Sequence, residues 1–291
     1  MIGRLIRAEL TRLLHRRRVV VSFLLVMAIC VGAPMMYMES ARPLNDVEIA
    51  ESYRSLAEVG SDCLDCKAED FRRSVWGLSE VVQYGLVPFA MLLAVVVLLI
   101  AVVYSGSDFA SGVIGTQLTF TPKRSALVLA RTVVGAIYGG ALAGLGTAVT
   151  VTVTMVWFIA LRGYADVGDG SPVMDLLIWT AVYGAILGAL GSLVVVLCNG
   201  TTAAAALLFA VMIGSSFSEV LGTVAAPWWV WHVLPTRQAE ALVTGYSQVM
   251  DEKWEPAFTM VRSEAIGYHL VVLVLVAALT LFVFERRDIK S

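Results

Sequence analysis

Charge is what this sequence has least of. Only 15% of its 291 residues are Asp, Glu, Lys or Arg, while 58% are hydrophobic. A soluble domain carries about 25% charged residues, so a chain with mean hydropathy +0.80 cannot cover its core in water and is built for a membrane. Histidine is rarer still, and His15, His232 and His269 are too scattered for an HExxH zinc helix. No lysine follows a glycine, which removes GxxxxGK[ST] and with it any ATP phosphate loop in this chain. G-x-S-x-G is missing too, excluding a nucleophile elbow. No catalytic constellation is present, so the chain is not read as an enzyme.

Cysteine is sparse and split by context. Cys30 and Cys198 fall within or beside apolar runs and read as small fillers. Cys63 and Cys66, in CLDC, lie in a polar segment where either a bridge across a tight turn or two free thiols fits. A zinc site would need two further ligands that are not nearby, and no His follows for a haem attachment; no metal is expected.

What the sequence has in abundance is long apolar runs. A helix needs roughly 20 mostly apolar residues to cross the bilayer core. Six runs qualify: Val19 to Tyr37, Val81 to Tyr104, a stretch within Ala126 to Leu161, Leu176 to Leu197, Thr202 to Leu221, and Ile266 to Phe284. The alternating segments of a barrel are absent, so the expected fold is all-α, a single polytopic membrane domain over 1–291 with six transmembrane helices.

The leader, 1–18, is patterned rather than merely basic. At 100° per residue Ile2, Leu5, Ile6, Leu10, Leu13 and Leu14 share one side, opposite Arg4, Arg7, Arg12, His15 and Arg18. This predicts a retained amphipathic helix lying on membrane lipid, its arginines drawn to anionic headgroups, rather than a cleaved signal.

Orientation follows from the cations. With six spans and a cytoplasmic N-terminus, the cytoplasmic segments and the start of span three hold twelve Lys and Arg against four acids, leaving nine basic and nineteen acidic residues elsewhere. The positive-inside rule then places both termini in the cytoplasm. The large segments 38–80 and 222–265 fall outside. The first carries helical spacing over NDVEIAESYRSLAEVG. The second, with Trp228, Trp229, Trp231, Pro227 and Pro235, suits an interfacial or re-entrant segment, its tryptophans more simply an aromatic belt than a ligand cage.

Within the spans ionisable groups are few. Glu219, His269 and Arg131 lie near span ends, where anchoring at the interface and a place on a substrate path both remain open. Without a charge relay at mid-membrane, a secondary carrier lacks its usual signature. Gly135, Gly139, Gly140 and Gly144 in span three, with Gly184, Gly188 and Gly191 in span four, give small-xxx-small spacing for close helix packing.

Between spans two and three lies a polar elbow, 106–125. Ser107 or Asp108 is placed to cap a short helix with Phe109, Val113, Ile114 and Leu118 on its apolar face; Pro122 ends it, and Lys123 and Arg124 pin the turn at the headgroups. From Asp108 to Arg131 this stretch resembles, without gaps, the second cytoplasmic element of ABC-2 type transporter permeases, through Asp108, Phe109, Gly112, Leu118, Thr121, Pro122, Arg124 and Arg131. Asp replaces the usual Glu, and Val113 the usual Thr. The amphipathic leader, six spans, LPTRQAEALVTG and FERRDI are similar as well.

The resemblance implies a coupling helix docked on a separate ATP-binding cassette subunit. Contact would run through Asp108, Phe109, Gly112, Ile114, Leu118, Thr121, Pro122 and Arg124, with Glu9 and Arg12 of the leader beside them. Two such ABC ATP-binding subunits and a second permease chain, as a homodimer, complete the unit; ATP and Mg belong to the partner, and this chain binds no cofactor and no nucleic acid. It further implies an exporter in a bacterial inner membrane. The apolar spans suit an amphipathic substrate such as a peptide antibiotic, drug or lipid. A non-transporting scaffold or sensor that binds ligand through its outer loops is the alternative.

Overall fold

The computed structural model describes residues 2–59, 66–114, 117, 123–167, 171–222, 232–250 and 256–286. Helix α1, Ile2–Leu14, is followed after a break at Arg16, whose backbone is extended (φ −79°, ψ 116°), by α2, Arg17–Gly32. Two 3-10 turns, the first opening at Ala33-Pro34, carry this apolar stretch on to Ala41. Helix α3, Asp46–Val59, starts with a reciprocal cap: the Glu48 N–H donates to Asn45 Oδ1 and the Asn45 N–H to Glu48 Oε2, both at 2.8 Å.

Helix α4, Val87–Ala110, is preceded by a π turn over Val81–Leu86. Pro88 has no N–H to give the preceding turn, and a widened turn is the usual way a helix absorbs such a loss. Helix α5, Arg124–Arg162, is the longest at 39 residues. At 1.5 Å per residue it spans about 58 Å, well beyond the ~30 Å hydrocarbon core. Helix α6, Ser171–Cys198, and α7, Thr201–Gly222, are joined by a tight turn in which Asn199 takes φ +57°. After α8, Pro235–Thr244, come a hairpin of β1, Tyr246–Met250, and β2, Pro256–Val261, and then α9, Arg262–Arg286. The strands pair antiparallel, Ser247 opposite Met260, with a bulge between Val249 and Met250.

Five helical stretches of the described residues are long and apolar enough to span: Arg17–Ala41, Leu78–Phe109, Arg124–Arg162, Pro172–Cys198 and Arg262–Arg286. The fifth expected span falls on α7, of which Thr201–Ser215 reads as a shorter apolar helix. The fold is that of an all-α polytopic membrane protein. The described part of segment 222–265 includes a short helix and a hairpin, which the tryptophan content did not announce. Trp228, Trp229 and Trp231 lie outside the described residues.

Helix α6 is the centre of the bundle, with 67% of its apolar window buried against 11% for α9. Its glycines set that position. A Cβ on Gly135 would stand 2.6 Å from Gly188 O, and one on Gly184 2.7 Å from Gly139 O, so α5 and α6 meet backbone to backbone. On the other side of α6, a Cβ on Gly191 would lie 3.0 Å from Ala101 Cβ of α4. Gly140 and Gly144 face Ala185 and Ala181 in the same seam. Ser105 Oγ donates to Ser192 Oγ at 3.1 Å, and Tyr37 Oη lies 2.6 Å from Thr154 Oγ1, two polar joints in an otherwise apolar packing. Helix α1 and the elbow lie at one end of the bundle, the leader end.

Candidate functional site: the leader and elbow junction

Helix α4 does not stop before the elbow. It runs through Ser107, Asp108 and Phe109 to Ala110, and ends where Gly112 takes φ +69°, a left-handed conformation that costs a glycine little. Ser107 and Asp108 therefore do not cap a separate short helix as the sequence suggests. They are the last turn of a span, and their side chains point where that span points.

For Asp108 that direction is inward. Its carboxylate is 1% exposed and is ion-paired with three guanidinium groups: Arg12 at Oδ2, Arg16 at Oδ1, and Arg131 at Oδ2, the last at 2.9 Å. Arg12 also pairs with Glu9 at 2.9 Å. Gln117 Nε2 donates to Glu9 Oε1 at 2.8 Å, and Arg131 Nη2 donates to Gln117 Oε1 at 2.7 Å. Arg16 Nη1 reaches Ser107 Oγ at 2.9 Å, with its guanidinium 4.9 Å from the Tyr104 ring centre. Leader, span-two end, elbow and span three are thus tied by one network.

The electrostatics explain why Arg12 turns in. Burial disfavours its charge, but Glu9 and Asp108 outweigh that and hold its pKa above the ordinary arginine value. The leader pattern had put Arg12 on the polar face; in the fold it shares the inner face with Glu9 and Leu13. Leu13, Ile6 and Leu10 pack on α4 and α5 through Val97, Val134 and Tyr138. The leader's apolar stripe is accordingly seated on protein, while Ile2 and Leu14 stay exposed. Three guanidinium groups face two carboxylates, so the cluster keeps one uncompensated positive charge.

The other expected contact residues divide. Ile114 is buried and Phe109 half-buried, both packed with Val128, Leu193 and Phe284. Arg124 Nη1 donates to Phe284 O at 3.2 Å, joining the start of α5 to the end of α9. Ser111, Gly112 and Lys123 are exposed. Leu118, Thr121 and Pro122 lie outside the described residues. Of the cysteines, Cys66 is disulfide-bonded while Cys30 and Cys198 are free; Cys63 lies outside the described residues. The Glu219 side chain does too. His269 is buried, its Nδ1 2.8 Å from Ala265 O and its ring edge-on to Tyr183 and Tyr268.

One far-end joint had no sequence signal. Arg262 grips Asp175 with both terminal nitrogens, donates from Nε to Leu242 O at 3.0 Å, and lies 4.6 Å from the Trp179 ring centre. It clamps α8 and α9 to α6 from 87 residues away; only a contact between distant elements reveals it.

A bundle of apolar helices whose amphipathic leader is ion-paired to the junction between two spans defines a multi-pass membrane protein. The ABC-2 family transporter protein pattern matches residues 4–289, nearly the whole chain, and the chain belongs to that family. As a member it is a transport protein of the permease type, the membrane-spanning kind of subunit in an ABC transporter. No curated protein and no solved structure matches the chain.

Proposed function

We propose that this chain is the permease subunit of an ATP-driven exporter in a bacterial inner membrane, with six spans and both termini in the cytoplasm. It works as a homodimer with two cassette ATPases. ATP and Mg sit on those partners, and the cargo is amphipathic and moves outward. The observation that carries the reading is the Asp108 network within a family member: it joins leader, elbow and α5 into one body at the leader end.

The mechanism follows from that joint. Closure of the paired ATPases pushes the exposed turn of Ser111 and Gly112, with Lys123 at its far side. Asp108 does not meet the ATPase in this reading; buried among Arg12, Arg16 and Arg131, it holds the pushed turn to α1 and α5. A buried, multiply bonded carboxylate is stiff, because breaking one partner strands charge in a poor dielectric. Motion of α5 carries α6 with it through the Gly135–Gly188 seam, and α6 is the central wall of the bundle.

The test is purification of wild type and of a Ser111→Arg, Lys123→Glu double variant from native membranes, with identification of bound chains. A cassette ATPase that accompanies wild type and is lost from the variant supports the reading. No ATPase with either, from a folded bundle, returns function to the ligand-binding scaffold alternative.

A further inference from the structure

Beside the ion cluster, between α2 and α4, lies a slot of about 240 Å³. Its wall is apolar, from Val19, Leu99 and Val103, and its mouth carries Arg16, Arg18 and Tyr104. Leu99 and Val103 are 39% and 58% exposed on spanning helices, so the slot opens toward the acyl chains rather than toward a protein core. The cations stand at one end of it only. This is the polarity of a lipid: headgroup at the arginines, chain along α4.

We infer that this slot binds an anionic phospholipid of the leaflet at the leader end, with its phosphate at Arg16 and Arg18 and one acyl chain against Val103. Charge selects the class. The adjacent cluster already holds an extra positive charge, and among the described residues Arg18 is exposed and makes no ion pair. A zwitterionic headgroup gains less there than an anionic one. Arginine stems covering apolar surface beneath a phosphate is the ordinary way such side chains reach the interface. Because Arg16 also donates to Ser107 Oγ and to Asp108, an occupied slot braces the joint between leader and elbow. A free phosphate would leave the apolar wall unused, which is why the lipid is the occupant. The inference needs the chain in a membrane but not the cassette partner.

Native mass spectrometry of the full-length chain, released from micelles with equal phosphatidylglycerol and phosphatidylcholine, tests it. Wild type is expected to retain phosphatidylglycerol over phosphatidylcholine. Arg18→Gln is expected to lower that retention about fivefold, the scale for losing one cation near an anionic surface. Val103→Trp, which fills the slot without touching charge, lowers it as well, and Arg7→Gln on the exposed leader face does not. Both slot positions are exposed, so the variants leave the core packed. Equal retention of the two lipids, an Arg7→Gln loss equal to that of Arg18→Gln, an unchanged Val103→Trp, or full displacement by millimolar inorganic phosphate would each overturn the site.

Discussion

Arg131 Nη2 lies 2.9 Å from Asp108 Oδ2, so an arginine near the start of one long span closes on the last turn of the span before it. Both groups are nearly inaccessible, Arg131 at 7%. Removing one partner from such a pair typically costs 3–5 kcal/mol, because the other charge stays buried. Asp108→Ala is therefore expected to lower unfolding free energy in mixed micelles by about 3 kcal/mol. Arg131→Met should cost less, because Asp108 keeps Arg12 and Arg16, and the double variant less than the sum, with a coupling of about 1–3 kcal/mol. Additive losses would show that the two residues do not act together.

The glycine seam gives a second prediction. Gly188→Val places two methyls against the Gly135 backbone, where no rotamer relieves the clash. Thermal melting of the detergent-solubilised chain should fall sharply, by more than the 1–3 kcal/mol of ordinary overpacking. Gly214→Ala and Gly267→Ala meet nothing within 4 Å and should melt like wild type. A Gly188→Val protein that melts normally would mean that α5 and α6 are not in backbone contact.

The segment before α4 should respond to acid. Glu48 is held down to about 2 from 4.5, first by the Asn45 N–H and then by Arg73, with Arg42 adding to the effect. A depressed carboxylate contributes stability that is full above its ordinary pKa and is lost as pH falls toward its folded value. Hydrogen-exchange protection of α3, corrected for intrinsic rate, should hold at pH 6 and decline between about pH 4.5 and 2. Glu48→Gln should remove that dependence and start from lower protection. A wild-type decline centred near neutral pH would contradict the assignment.

The Arg262 clamp predicts a local effect. Asp175 is 43% exposed, so the charge pair alone is worth about 1 kcal/mol or less, and global stability should barely change in Arg262→Gln. Release of α8 and the hairpin from α6 should instead appear as faster proteolysis within 232–261. Arg262→Lys should not restore protection, since an ammonium cannot serve both carboxylate oxygens and Leu242 O together. Equal proteolysis in all three proteins would leave the clamp without effect.

The sequence made the spanning helices legible because each is a long apolar run, and it marked the α5–α6 seam because glycine spacing is local to one helix. The elbow residues were legible as a pattern, but their directions were not. Ser107 and Asp108 read as a cap because capping residues precede an apolar repeat, whereas α4 continued and carried Asp108 inward. Arg12 read as surface because an amphipathic wheel scores hydrophobicity and does not see a carboxylate 96 residues away. The hairpin of Tyr246–Met250 and Pro256–Val261 was missed for a related reason: short strands flanked by spanning helices give too few alternations to stand out.

In the proposed assembly the turn at Ser111 meets a cassette ATPase on the cytoplasmic side. That contact is tested most directly by placing a photo-crosslinking residue at position 111 in native membranes, with Tyr53, exposed on α3, as the comparison site. An adduct between position 111 and an ATP-binding subunit, sensitive to added nucleotide, is expected, and none from position 53. Absence of that adduct at 111, or its appearance from position 53, would mean that the ATPase does not dock on this turn.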